Sequence, residues 1–458
     1  MNPDSDSKQP KGISFFDYLK EKKLYYTLET IENFLLSIKV KPFMIMSGGT
    51  GTGKTKLAQA YGMYLSNNNV NNVQIKTEVT LNKAETNNGF TLSADDFFNN
   101  LPYDGRRADG QYIAKLGDLE TTCTIRMSPR MWYRPNVDAF KEEVHKLKEQ
   151  GKEKETLYLT PISDKNGSNY ELIPVGSNWT ESRFIIGYKN VLTEKYATTP
   201  SLDLIVKANQ NPTKPFLLIL DEMNLSHVER YFSEILSAME SNQNIKLDSD
   251  GAEIPKEISI GDNLIMIGTI NADETTYAFS PKVLDRANVL EFESKTISEM
   301  LSGSENDVKP DGNIEYLENC MAGIDVRDMK AIDVKNNICS NVLNVKYIEE
   351  LVADLESLRK EMESIGLSFG FRTVDEIFRF MYAAWIYKNK GEFTTWKRFF
   401  DAQIKQKILP KIHGNLSIRK GLESMLTLCS NKGYITSAKK LETMINKLDN
   451  QRYVSFNS

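Results

Sequence analysis

The most chemically specific run in the chain is Gly48-Gly49-Thr50-Gly51-Thr52-Gly53-Lys54-Thr55, which fits the spacing G-x-x-x-x-G-K-[ST]. Glycines at these positions let the backbone wrap so that successive N–H groups face a phosphate, and the amino end of a following helix adds a favourable dipole. Lys54 is expected to reach the β- and γ-phosphates of a nucleotide, and the Thr55 hydroxyl to ligate Mg²⁺. A glycine-rich strand-to-helix turn without a ligand is the plainer alternative. The flanks argue against it: apolar Phe43–Met46 precedes the run directly, and a helical pattern from about Lys54 to Leu65 follows.

Two further apolar runs end in residues suited to the same chemistry. Phe216–Leu220 is closed by Asp221 and Glu222. Asp221 is placed to hold Mg²⁺ through water, and Glu222 to orient and activate an attacking water. Leu264–Ile270 is closed by Asn271, a neutral donor and acceptor suited to the γ-phosphate or that water; a turn-forming Asn at a strand end is the alternative. Ser280-Pro281-Lys282-Val283-Leu284-Asp285-Arg286 reads as a short helix after a proline. In a ring of subunits, an arginine placed like Arg286 can enter a neighbour's site and neutralise transition-state charge; otherwise it is a solvated surface residue. Arg372, in Gly370-Phe371-Arg372-Thr373, starts a helix from which it could reach the nucleotide from above, or pair locally with Asp375 or Glu376.

These residues need a parallel sheet to bring them together. Strand-like Phe43–Ser47, Tyr170–Val175, Phe216–Leu220, Leu264–Thr269 and Val289–Phe292 are separated by helices or hairpins, as parallel pairing with crossovers requires. The apolar spacing from Ile13 to Ile38 is helical, and 240–261 suggests a hairpin with its turn near Asp250-Gly251. After about Lys295 strand signals fade. A polar segment, 302–345, leads into helices, with Ile348, Leu351, Leu355, Leu358 and Met362 on one face. Between 70 and 169 the chain changes character. Cys123, Ile125 and Met127 alternate with polar residues, Phe140–Gln150 is a charged amphipathic helix, and Leu157–Ile162 is another strand. The expected fold is α/β: a P-loop NTPase core of parallel sheet and flanking helices (13–69 and 170–295), an inserted small α+β unit (70–169) and an all-helical lid (296–458), after a disordered tail (1–12).

The 458 residues are 40% hydrophobic and 26% charged, ordinary for a soluble globular protein. No apolar run approaches the ~18 residues of a membrane span. The first ten residues are polar, unlike a signal peptide, so a cytoplasmic protein without membrane contact is expected. Cys123, Cys320, Cys339 and Cys429 form no Cys-x-x-Cys pair, which disfavours zinc or a disulfide framework, and three histidines leave little for His-based chemistry. A net charge of −5 provides no basic field, so any nucleic-acid contact falls to local patches or partners.

Together these segments resemble the AAA+ domain of the McrB-like family, the nucleotide-driven subunit of modification-dependent restriction systems. The resemblance covers about 13–66 and 170–457. Beyond the glycine-rich loop it rests on Val175-Gly176-Ser177-Asn178-Trp179-Thr180 with Ile186-Gly187-Tyr188, on Asp221-Glu222-Met223-Asn224-Leu225 with Tyr231-Phe232, and on the run Gly268–Thr276. Ile408-Leu409-Pro410-Lys411-Ile412-His413-Gly414 and Ser437-Ala438-Lys439-Lys440-Leu441 are also similar. The resemblance implies a hexamer-like ring, Asn271 as sensor 1, Arg286 as the trans-acting arginine and Arg372 as sensor 2. It implies Mg²⁺ as cofactor, ATP or GTP as substrate, and a separate McrC-like nuclease subunit, with hydrolysis driving translocation or remodelling on DNA. Three features depart from the family: only a short helical lead precedes the loop where an N-terminal reader of modified DNA is usual, Arg286 is followed by Ala287-Asn288 rather than a second arginine, and 70–169 is extra to the basic module.

The insert carries Arg126, Arg130 and Arg134 beside Trp132 and Tyr133, a mixture that can grip single strands or stack a flipped base. It fits the exposed edge of a small sheet with two core aromatics equally well. No acid followed by Glu-x-Lys is convincingly placed on a strand, so nuclease chemistry is assigned to a partner. Three functions follow: a motor in a DNA restriction or defence complex, an AAA+ remodeller of proteins, and a nucleotide-switched assembly scaffold. The set Glu222, Asn271 and Arg286 speaks against the third.

Overall fold

Short, continuously apolar runs suit strands buried on both faces, the environment of a parallel sheet. Five such strands form the central sheet of the computed structural model: β1 (Phe43–Gly48), β2 (Tyr170–Pro174), β3 (Phe216–Asp221), β4 (Leu264–Asn271) and β5 (Asn288–Phe292). The structure describes residues 13–71, 75–80, 91–92, 110–117, 119–127, 131–134, 137–162, 169–251, 254–272, 277, 279–293, 310–322 and 324–456. The expected tail 1–12, Arg130 and the run Asp273–Thr276 lie outside them.

Every pairing in the central sheet is parallel, and the order is β5-β1-β4-β3-β2. Phe43 pairs with Met266 and Gly48 with Asn271, while Leu220 pairs with Gly268 and Gly48 with Phe292. All carboxyl ends therefore finish along one edge, where Gly48, Asp221 and Asn271 meet. Phe43–Met46, Leu217–Leu220 and Leu264–Ile267 are each no more than 1% exposed. Each such side chain contributes roughly 1.5–3 kcal/mol by leaving water.

The apolar pattern from Ile13 to Ile38 resolves into two helices, Phe15–Glu21 and Leu28–Val40, rather than one. The side chains of Ser14 and Thr27 cap them, accepting from Asp17 N and Thr30 N. Lys23 turns the chain between them at φ 55°. Phe34 and Phe15 meet Tyr61 of the Lys54–Asn71 helix edge-on, with ring centroids 5.1 and 5.2 Å apart. That helix runs six residues past its expected end at Leu65. The expected hairpin is present as Ile245–Lys246 paired with Glu257–Ile258, with Asp250 and Gly251 in the connecting loop.

The C-terminal region is mostly helical rather than all-helical, because His413–Asn415 pairs antiparallel with Tyr453–Ser455, and its helices start earlier than the polar sequence suggests. Ile314–Glu318 and Ala331–Cys339 are helices because Leu317, Val334 and Ile338, although isolated in polar surroundings, are fully buried. The Val345–Ser364, Phe371–Tyr387, Trp396–Gln403, Arg419–Lys432 and Ile435–Gln451 helices follow. Ile13–Gly62 and Tyr170–Ser458, sheet and C-terminal helices together, form one compact unit, while 63–169 falls in a second. The second unit has an antiparallel sheet of six strands and a Val137–Glu149 helix that buries Val144 and Leu147. In it Arg126 stands opposite Trp132 and Thr124 opposite Arg134. Among the described residues no helix is long and apolar enough to cross a membrane.

An ionic network lies at the amino edge of the central sheet. Glu376 accepts from Lys41, just before β1, and from Lys407 at 2.5 Å. Lys41 also donates to Asp285 O at 2.9 Å and Lys407 to Ala287 O at 2.8 Å, both just before β5. Burial pushes the Glu376 carboxyl up, but Lys407 and Lys41 outweigh it and hold it down at about 2. Burial, with the like charge of Lys407, lowers Lys41 to about 7 against the pull of Glu376. One carboxylate thus serves as counter-charge to two buried lysines. Glu376→Gln should lower the unfolding free energy by about 3–5 kcal/mol in urea, because the lysines lose their counter-charge. A loss below about 1 kcal/mol would contradict this accounting.

Candidate functional site

The Gly48–Thr55 loop joins β1 to the Lys54–Asn71 helix, and space requires glycine at Gly48 and Gly53 while conformation requires it at Gly51 and Gly53. A Cβ at Gly48 would stand 2.5 Å from Phe292 O on β5, and one at Gly53 2.9 Å from the Tyr26 hydroxyl. Gly51 and Gly53 adopt φ of 81° and 92°, which side-chain-bearing residues rarely take. The Tyr26 hydroxyl donates to Gly53 O at 2.9 Å, pinning the loop to the break between the first two helices. Burial pushes this hydroxyl up to about 12, so it stays a donor at any ordinary pH.

Lys54, 4% exposed, folds back under the loop and donates to Gly48 O at 2.8 Å and Gly49 O at 2.7 Å. Its ammonium is thus held centrally within the turn. Thr55, the next residue, donates its hydroxyl to Asp221 Oδ1 at 2.8 Å. The same oxygen accepts from the Thr269 hydroxyl at 2.6 Å, and Thr269 Oγ1 in turn accepts from Glu222 N at 3.1 Å. Asn271, two residues beyond Thr269 on β4, donates to Glu222 Oε1 at 3.4 Å. A continuous chain of hydrogen bonds therefore runs from the loop to the end of β3 and on to the end of β4.

Glu222 is in the left-handed region, φ 53° and ψ 47°. For a residue with a side chain this costs on the order of 1–3 kcal/mol and is a feature concentrated at functional sites. The bend turns the chain out of β3, and the Thr269 hydroxyl holds it. Thr55 and Asp221 present two hard oxygen donors 2.8 Å apart, a pair suited to Mg²⁺, which takes few protein ligands and keeps waters. Among the described residues no group of three or more His, Cys, Asp or Glu side chains is gathered for a metal.

The two arginines stand elsewhere. Arg286 lies just before β5, at the opposite edge of the sheet from the loop, and is 6% exposed. It donates to Lys282 O at 2.7 Å and to the Glu240 carboxylate. Arg372 pairs with the other oxygen of Glu240 at 3.4 Å. Arg372 therefore neither meets the loop nor takes its expected local partners. Asp375 holds Lys330 and the Ala331 amide, and Glu376 holds Lys41 and Lys407. The helical region instead brings lysines to the carboxyl end of β5. Lys405 bridges Glu291 at 3.1 Å and Glu293 at 2.8 Å, Lys439 reaches Glu293 at 2.6 Å, and Lys440 pairs with Glu291. Burial raises the Glu293 carboxyl, but Lys405 and Lys439 prevail and hold it at about 2.

Sequence reasoning missed Thr269, Tyr26 and Glu240. Thr269 had a signal, since two residues before Asn271 on a strand puts it on the same face. Tyr26 and Glu240 had none, being set by packing between distant segments.

Residues 325–453 match the model of a family described as a domain of unknown function, DUF8727. The match spans the C-terminal helices and Arg372 but none of Gly48–Thr55, Asp221, Glu222, Asn271 or Arg286. No curated protein matches the chain.

Thr269→Val keeps the shape but removes the hydroxyl, leaving Asp221 and the Glu222 amide each short of a partner. Urea unfolding should show a loss of about 1–3 kcal/mol; an unchanged midpoint would mean that water replaces the hydroxyl.

Proposed function

We propose that the chain is a Mg²⁺-dependent nucleoside triphosphatase of the AAA+ type, similar to the McrB-like family. In this proposal it works as a ring of copies that drives a separate nuclease subunit on DNA. The observation that carries the proposal is the 2.8 Å bond from Thr55 to Asp221, which sets the end of a G-x-x-x-x-G-K-T loop against the acid closing a neighbouring buried strand. A glycine-rich turn without a ligand has no need of that acid, nor of a buried lysine turned into the loop.

The work of each residue follows from its place. Gly51 and Gly53 shape the loop around a phosphate, and the helix starting at Lys54 turns its positive end toward the same point. Lys54 exchanges the carbonyls of Gly48 and Gly49 for β- and γ-phosphate oxygens. Thr55 and Asp221 would hold Mg²⁺, which when bound would offset phosphate charge. Glu222 takes a proton from the attacking water, and Asn271 aligns the Glu222 carboxylate by donating to Oε1. ATP and GTP share the triphosphate that these residues address.

Arg286 cannot serve the site of its own chain. Asn288, two residues on, is level with Met44, and the four residues from there to Gly48 span roughly 13 Å of strand. It reaches a γ-phosphate only across a subunit boundary, after leaving Glu240. Such a boundary would be heterologous, one copy's amino edge against the next copy's carboxyl edge, the kind of contact that forms a ring where its rotation closes.

Glu222→Gln removes the base but keeps the shape. Phosphate release should fall about 10²–10⁴-fold while equilibrium nucleotide affinity stays near that of the unaltered chain. Full turnover by this variant would remove Glu222 from the mechanism.

A further inference from the structure

The second compact unit, 63–169, has no part in the proposed triphosphatase and carries its own two-faced sheet. We infer that one face of this sheet binds single-stranded DNA. The inference does not rest on the proposed triphosphatase.

Strand register divides the residues between the faces. Cross-strand partners share a face, and successive residues of a strand alternate. Leu116, at the end of the Gly110–Leu116 strand, pairs with Leu119 and with Leu157, while Ile125 pairs with Tyr133. These residues lie on one face. Leu116 and Leu157 are no more than 1% exposed, and the Val137–Glu149 helix buries Val144 and Leu147. A Cβ at Gly117 would stand 3.3 Å from the Leu147 side chain, so the helix lies against this side.

The other face has a different composition. Lys115 pairs with Tyr158, and Tyr158 with Lys76. Further across the sheet, Arg126 pairs with Trp132, Trp132 with Thr91, and Thr124 with Arg134. Glu120, opposite Lys115, is an even number of residues from Arg126 on the Leu119–Met127 strand, so both groups share the face.

A sheet packed on one side normally solvates its second face with mixed polar residues. Two features go beyond that here. The first is charge. Among the described strand residues of this face, Lys76, Lys115, Lys154, Arg126 and Arg134 stand against Glu78 and Glu120, an excess of positive charge in a chain of net charge −5. Lys115 and Lys154 are exposed, so the face is open at those positions. The second is the placement of the aromatics. Tyr133 falls on the helix side, whereas Trp132 and Tyr158 share the face with the cations. Trp132 and Tyr133 are therefore not two core aromatics behind an exposed edge.

Cations interleaved with aromatics suit a strand whose phosphates are neutralised along its path and whose bases stack on the rings. A duplex keeps its bases stacked on one another and leaves none for Trp132. From the level of Lys115 to that of Arg126 the strands run roughly 20 Å, at ~3.4 Å per residue, room for several nucleotides. The corner of Arg126, Trp132 and Arg134 holds no carboxylate among the described residues to accept from a ribose 2′-hydroxyl, which assigns the strand to DNA rather than RNA.

Fluorescence anisotropy of the full chain against labelled oligodeoxythymidylate, oligouridylate and a DNA duplex tests this. No nucleotide is present, so the outcome is independent of whether the chain hydrolyses one. The deoxy strand should bind tightest. Trp132→Ala should weaken that binding by about tenfold, the loss of one stacked base, while Trp132→Phe should keep most of it. The Arg126→Gln, Arg134→Gln double variant should flatten the slope of log affinity against log salt by about 1.4. Lys115→Gln, at an exposed position where the sheet is not put at risk, should flatten it by about 0.7. Equal or tighter binding of the RNA or the duplex would overturn the inference. So would a chain that binds no strand, full affinity in Trp132→Ala, a Trp132→Phe chain as weak as Trp132→Ala, or an unchanged salt slope in either charge variant.

Discussion

One carboxylate oxygen, Asp221 Oδ1, accepts hydroxyl protons from Thr55 at 2.8 Å and Thr269 at 2.6 Å. These two bonds join the glycine-rich loop, the end of β3 and the end of β4, stretches far apart in sequence and brought level only by parallel register. Remove that register and the loop is an ordinary turn. With it, Lys54, Thr55, Asp221, Glu222 and Asn271 fall within one small volume, and the left-handed backbone at Glu222 is held by the same threonine that steadies the acid. The order β5-β1-β4-β3-β2 is thus the condition under which these side chains meet. It sets β1, with the loop at its end, directly beside β4 and one strand from β3.

Parallel strands also give the sheet two unlike edges. The carboxyl edge holds the loop and its acids, with Lys405, Lys439 and Lys440 bound to Glu291 and Glu293 at the end of β5. The amino edge holds Arg286, Glu240, Arg372 and the Lys41–Glu376–Lys407 network. That network joins the C-terminal helices to the segments that lead into β1 and β5. A displacement of the Phe371–Tyr387 helix would therefore be felt at Asp285 and Ala287, on either side of Arg286.

Much of this was legible in the residues, and what was not had physical reasons. The five strands were visible as continuous apolar runs, because both faces of a parallel sheet are buried and no alternation is needed. Lys54, Thr55, Asp221, Glu222 and Asn271 were visible because each ends or follows a strand, where local sequence fixes position. The break at Lys22–Thr27 was hidden by an apolar spacing that continues through it, and with it the role of Tyr26. Leu317, Val334 and Ile338 gave too sparse a pattern to mark their helices. The pairing of Arg372 with Glu240 was hidden for a different reason. A helix start can be read from sequence, but the strand edge against which it packs depends on Lys41, which lies 335 residues before its partner Glu376.

In our proposal a buried lysine inside a glycine-rich loop, with a hydroxyl and an acid beside it, forms a site for a Mg²⁺-bound triphosphate. Equilibrium titration of the full chain with ATP and with GTP, with and without Mg²⁺, and again for Lys54→Ala, tests it most directly. Binding should strengthen with Mg²⁺ and weaken at least about tenfold when Lys54 is lost, the loss of one charge-assisted contact. Affinity for neither nucleotide, or affinity indifferent to both the metal and Lys54, would contradict it.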